Sequence, residues 1–117
     1  LFKEKMMRGP MSLLIVAAVT VPGTAVYGAD GAGIFRADCV SCHGSKGQGT
    51  PGLAPALKGD AFVVSGKRED VESTIQNGRQ GAQKKYKDIP MAMPGWHLSA
   101  DDLKAVVDYI RGDLQKQ

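Results

Sequence analysis

Cys39-Val40-Ser41-Cys42-His43 constrains this chain more than any other stretch. Two thiols three positions apart, followed at once by an imidazole, form the attachment signature of a c-type haem. The sulfurs add across the two vinyl groups on one edge of a porphyrin, and the next residue turns its imidazole toward the iron. Cys39 and Cys42 are therefore the expected tethers, and His43 the expected axial ligand. A chain tied in this way builds its core around the cofactor.

Other uses of a Cys-x-x-Cys pair make demands that the rest of the sequence does not meet. A dithiol redox centre calls for a preceding strand in a βαβ context, and residues 31–42 hold no strand run. A structural zinc site needs four ligands. The chain has only two Cys and two His, and the second histidine is the isolated His97.

The 117 residues suffice for one domain, and residues 1–29 read as an export signal rather than part of it. Lys3, Lys5 and Arg8 form a basic head, Met11 to Val21 is a mostly apolar run, and Pro22-Gly23 breaks any helix ahead of the small residues Gly28 and Ala29. The run is short against the roughly twenty apolar residues of a membrane span. Cleavage near Gly28 or Ala29 is expected, with an uncleaved anchor as the alternative. The chain opens on Leu1, which points to Met6 or Met7 as the initiator. Export suits the cysteines, because haem attachment of this kind takes place outside the cytoplasmic membrane; the expected compartment is the bacterial periplasm.

Residues 30–117 form a domain small enough that a protein core alone is marginal, and a covalent porphyrin supplies apolar mass. The formal net charge is +3, of which the segment carrying Lys3, Lys5, Arg8 and Glu4 contributes two units. So weak a charge, with no basic stripe interleaved with aromatics, argues against nucleic acid as a partner. Lys84, Lys85 and Lys87 cluster locally, either as a solvated loop or as a patch that steers an acidic redox partner.

The apolar pattern predicts an all-α domain of three to four helices separated by glycine-rich loops. The first helix is expected from a cap at Asp30 to about Ser41, with Ile34, Phe35 and Val40 inward and Gly31 open to a crossing helix. Residues 44–59 are too rich in Gly and Pro for regular structure. Phe62-Val63-Val64 is too short to assign. Val71 and Ile75 mark an amphipathic helix over 69–77 that Gly78 ends. Ser99 and Asp102 form a capping pair for a last helix with an apolar face of Leu103, Val106, Val107 and Ile110 and a stop at Gly112.

An iron bound by His43 has either a second protein ligand or an open site, and this choice separates an electron carrier from a gas-binding or catalytic protein. Met91 and Met93 stand between two prolines in Pro90-Met91-Ala92-Met93-Pro94, where rigid extended backbone can hold a thioether in place; His97 follows closely.

Over residues 30–112 the chain resembles the class I monohaem c-type cytochromes of bacteria. The resemblance is carried by Gly31 and Phe35 ahead of the haem motif, Pro55 and Leu57 in the Gly-rich loop, and Ile75-Gln76-Asn77-Gly78. It continues through Met93-Pro94-Gly95-Trp96, Leu98-Ser99 and Tyr109-Ile110. It implies a small cytochrome c fold wrapped around one covalent haem c, with Met93 as the distal ligand and Met91 as the alternative. Trp96 is then expected near the ring, and the Pro55 carbonyl is expected to accept the Nδ1 proton of His43. Gly31, Phe35 and Tyr109 would make the crossing of first and last helices. Residues 83–90 lengthen the segment before Met93 relative to the shortest members of that family.

A six-coordinate His/Met iron has no vacant site for a substrate, so the expected role is a periplasmic one-electron carrier and not an enzyme. The expected partners are redox proteins, a donor dehydrogenase or cytochrome complex and an acceptor oxidase or reductase. Membrane contact is expected only if the N-terminal segment is retained. The alternatives are a haem c subunit of a periplasmic dehydrogenase or oxidase complex, or a haem sensor with a displaceable sixth ligand.

Overall fold

The computed structural model describes residues 29–117 and, in isolation, Ala18. The expected export segment thus lies almost wholly outside the described residues, among which no helix is long and apolar enough to cross a membrane.

The regular elements among the described residues are all helical, in accord with the all-α expectation: α1 (Gly31–Asp38), α2 (Val40–His43), α3 (Ala61–Ser65), α4 (Arg68–Asn77) and α5 (Ala100–Arg111), with single 3₁₀ turns at Gly81–Gln83 and Asp113–Lys116, joined by loops that hold two isolated β-bridges. The first expected helix is present but bends at Cys39. The Cys39 carbonyl takes the N–H groups of both Cys42 and His43, at 3.2 and 2.9 Å, which starts a new turn there. Asp30 precedes α1 in extended conformation, yet its side chain makes no capping bond; it faces Arg36 at 3.9 Å in solvent.

Phe62-Val63-Val64, ambiguous in sequence, is helical because Asp60 caps it: its carboxylate accepts the Val63 N–H at 3.2 Å. α4 begins one residue before the expected start, with Glu69 and Asp70 placed favourably in its first turn. Ser99 caps α5 as expected, its hydroxyl accepting the Asp102 N–H at 3.2 Å. Gly112 ends α5, and the following turn buries Leu114 completely.

The core is the meeting of α1, α3, α4, α5 and the closing 3₁₀ turn: Phe35, Val63, Val71, Ile75, Val106, Val107, Ile110 and Leu114. Fully burying Phe35 or Leu114 stabilises the fold by about 1.5–3 kcal/mol each. α1 crosses α5 in close contact because residue 31 has no Cβ; one built there would overlap the Ala105 carbonyl. One turn on, the Phe35 and Tyr109 rings lie 5.4 Å apart with their planes at 51°. Arg68 ties α4 to α5 from outside, reaching Glu72 at 2.8 Å, Asp108 at 2.7 Å and the Lys104 carbonyl at 3.2 Å.

Candidate functional site: a cofactor cavity between α2 and the methionine segment

The helices leave a cavity of about 390 Å³ beside the core, bounded by α2 on one side and by the segment 91–96 on the other. This is within the range of about 300–1,000 Å³ typical of cofactor sites. Cys39, Cys42 and His43 all line it. The bend at Cys39 sets α2 as a separate turn that carries the second thiol and the imidazole.

His43 is the one buried polar side chain among the described residues, at 8% exposure. Its Nδ1 lies 2.9 Å from the Pro55 carbonyl oxygen. A carbonyl only accepts, so Nδ1 carries the proton and donates, and Nε2 keeps its lone pair. Burial holds the imidazole below the usual histidine pKa and so favours the neutral form that can bind a metal; the Pro55 bond opposes this shift without reversing it. Burial pushes the Cys39 thiol up to about 11, with the charges of Asp38 and Cys42 adding to it. Both cysteines are partly buried and unbridged.

Across the cavity, Met93 and Arg79 exchange backbone hydrogen bonds, Arg79 N–H to the Met93 carbonyl at 3.0 Å and Met93 N–H to the Arg79 carbonyl at 3.1 Å. Trp96 N–H donates to the Ile75 carbonyl at 3.0 Å. The Gln76 side-chain amide accepts the Leu98 N–H at 2.6 Å and donates to the Leu98 carbonyl at 2.9 Å. Residues 93–98 are thereby fastened to the end of α4. Gly78 makes the contact possible: its φ is +69°, and a Cβ there would overlap the Met93 carbonyl.

Met93 is partly buried and packs on the core, whereas Met91 lines the same cavity but is 54% exposed. Trp96 lines the cavity at 36% exposure. His97 is exposed, at a φ of 49°, and does not line the cavity.

A family model described as Cytochrome c matches residues 28–112. The chain belongs to the cytochrome c family. It is 36% identical over 89 residues to cytochrome c6 of Microcystis aeruginosa, an alignment covering 74% of this chain and 98% of that one. It is 33% identical over 92 residues to the cbb3-type cytochrome c oxidase subunit FixP of Azorhizobium caulinodans, covering 76% of this chain but only 28% of the length of FixP. Among solved structures, the c-type cytochrome NirC superposes with a TM-score of 0.50 at 31% identity, covering 72% of this chain and 88% of that one.

A cytochrome c carries a covalent haem c and passes electrons, and this chain supplies the two thiols at Cys39 and Cys42. The residues present suit that group: a mostly apolar cavity, a neutral imidazole with one nitrogen uncommitted, and thioether sulfurs opposite. The cavity wall of this cytochrome c domain also includes residues that the spacing of motifs did not single out. Phe62 of α3 carries the Arg79 guanidinium 4.5 Å and the Lys85 ammonium 4.9 Å from its ring centroid. The Tyr86 hydroxyl donates to Asp60 at 2.6 Å, fastening the 84–89 segment to the cap of α3. The lysine cluster is divided: Lys84 and Lys85 line the cavity, and the Lys84 ammonium donates to the Ile89 carbonyl. Lys87 is exposed and stands outside the lining.

Proposed function

We propose that the chain is a periplasmic one-electron carrier in which the haem iron is held between His43 Nε2 and the Met93 thioether. The observation that carries this reading is the pairing of a His43 imidazole locked by Pro55 on one wall with a methionine locked by Arg79 on the other. Haem c supplies a one-electron couple there. His43, made more electron-donating by its bond to Pro55, and Met93, a soft donor that favours the ferrous state, would set its potential from opposite sides. The apolar wall excludes water and raises the potential further, since it solvates the ferric charge poorly. Trp96, which lines the cavity and is partly exposed, would pack against the bound group.

Residues 1–29 are read as the export signal or anchor and residues 30–117 as the carrier domain. The partners are a donor dehydrogenase or cytochrome complex and an acceptor oxidase or reductase, docking over a small, transient interface. A second reading makes this segment one haem domain of a larger oxidase subunit, favoured by its likeness to part of FixP.

The oxidised protein, produced with a haem maturation system, is expected to show the weak far-red band of thioether-to-iron charge transfer. It is also expected to resist carbon monoxide in the ferrous state at neutral pH. Carbon monoxide binding would indicate an open or displaceable site. Intact mass of the exported protein reads haem content and cleavage together. Recovery only within an oxidase complex would favour the second reading.

A further inference from the structure

We propose that Arg79 and Lys85 form a carboxylate-binding site in the cavity wall, and that its ligand is a propionate of the bound haem c. The assignment rests on the haem-carrying reading of this cavity. Haem brings two carboxylates, and a carboxylate set against an apolar wall needs a cationic, hydrogen-bonding partner.

Both cations stand over the Phe62 ring, and Lys85 also lies 5.5 Å from the centre of the Tyr86 ring. All four residues line the cavity. Two like charges sharing one ring repel each other unless an anion lies close. Among the described residues, the bases in ion pairs are Arg36, Arg68, Lys104 and Lys116; neither Arg79 nor Lys85 is one of them. Two carboxylates line the cavity: Asp38, next to Cys39, and Asp60, which already accepts the Tyr86 hydroxyl at 2.6 Å and the Val63 N–H at 3.2 Å. Asp60 therefore offsets Lys85 in part, and Arg79 has no carboxylate partner among the described residues.

Arg79 is also poised as a donor. A guanidinium stacked on a ring keeps its in-plane N–H groups for another acceptor, and the fork they form matches a carboxylate. The arginine side chains that donate hydrogen bonds among the described residues are Arg68 and Arg111, so those of Arg79 are uncommitted. Its backbone is fixed by the bridge to Met93, so its side chain starts from a set position on the cavity wall.

The test uses the haem-loaded protein. In an Arg79→Gln/Lys85→Gln double variant, the propionate bending bands of the resonance Raman spectrum should move. The ferrous-to-ferric ratio at a fixed ambient potential should fall roughly threefold or more, because an uncompensated carboxylate favours the ferric ion. Arg79→Lys should recover most of that ratio, and Lys104→Gln, a surface cation on α5, should change neither readout. Propionate bands and ratio equal to those of the parent would overturn the assignment. So would a crystal structure of the unaltered haem-loaded protein with both propionates bound to other groups, a measurement that needs no variant to fold. Covalent haem mass and the far-red band are read on the same samples. Their absence from the parent would sink the haem reading itself, and their persistence with unmoved propionate bands would sink this assignment alone.

Discussion

The Pro55 carbonyl accepts the Nδ1 proton of His43 at 2.9 Å, a bond between residues twelve positions apart. It is made by the main chain, so the proline ring matters only by fixing the backbone. Pro55→Ala is expected to retain the acceptor and cost about 0.4–1 kcal/mol through the greater freedom of the unfolded chain. Urea unfolding would show the loss, while the visible spectrum stays as in the parent. A changed spectrum would mean that the ring itself positions the imidazole.

Met93→Ala should abolish the far-red band, lower the potential and admit carbon monoxide, with the haem still attached. Met91→Ala should do none of these, since that side chain is more than half exposed and its backbone lacks the bridge to Arg79. Redox titration of both variants compares them directly. The opposite ranking would assign the distal sulfur to Met91.

Gln76 is the positioning residue that holds the segment after Met93. Its amide satisfies both backbone groups of Leu98, and Gln76→Ala leaves them with no protein partner at a half-buried site. A loss of about 1–3 kcal/mol is expected. The ferrous variant should also begin to admit carbon monoxide, which the parent is expected to resist, a readout that a purely structural role elsewhere would not move.

The contact between Asp60 and Tyr86 should impose two limits on pH. Burial raises the Asp60 pKa, but the Tyr86 and Val63 hydrogen bonds and the Lys85 charge outweigh it, and the net value lies below normal. Its contribution is complete above the unfolded value of about 3.9 and is lost as pH falls through the folded value. Tyr86 is raised, first by its bond to Asp60 and then by burial and the Asp60 charge, with Arg79 opposing. That contribution is complete below the unfolded value of about 10 and is lost as pH rises through the folded one. Amide protection factors over residues 84–89, which divide out the intrinsic pH dependence of exchange, should therefore be highest between these limits and fall several-fold outside them. Asp60→Asn should flatten the acid limb.

Much of this architecture is written in local signals. Ser99, Gly112 and the apolar face of α5 act within a few residues, and the haem motif is contiguous. Gly31 and Phe35, one turn apart, mark a close approach of another helix, and the family resemblance, through Tyr109, supplies the last helix as that partner. Less legible were contacts whose partners lie far apart in sequence. The bend at Cys39 has no Gly or Pro to mark it. The apolar triplet at 62–64 became a helix through its Asp60 cap, and Phe62 carries cations from a loop well downstream. Gln76 and Tyr86 look like ordinary polar residues until their partners, Leu98 and Asp60, are brought to them by the fold. The segment 1–29 lies almost wholly outside the described residues, so its reading as a signal rests on sequence alone.

The bridge between Arg79 and Met93 closes residues 80–92 into a loop that is pinned again in its middle by the Tyr86 bond to Asp60, with the exposed turn Gly81–Gln83 lying outside that pin. Closure entropy grows slowly with loop length, so insertion at that exposed turn costs little, whereas a deletion across Tyr86 would cut the pin. Insertions at the turn would change the exposed surface there while the bridge keeps the Met93 backbone in place, which makes the turn a natural position for grafting new partner specificity.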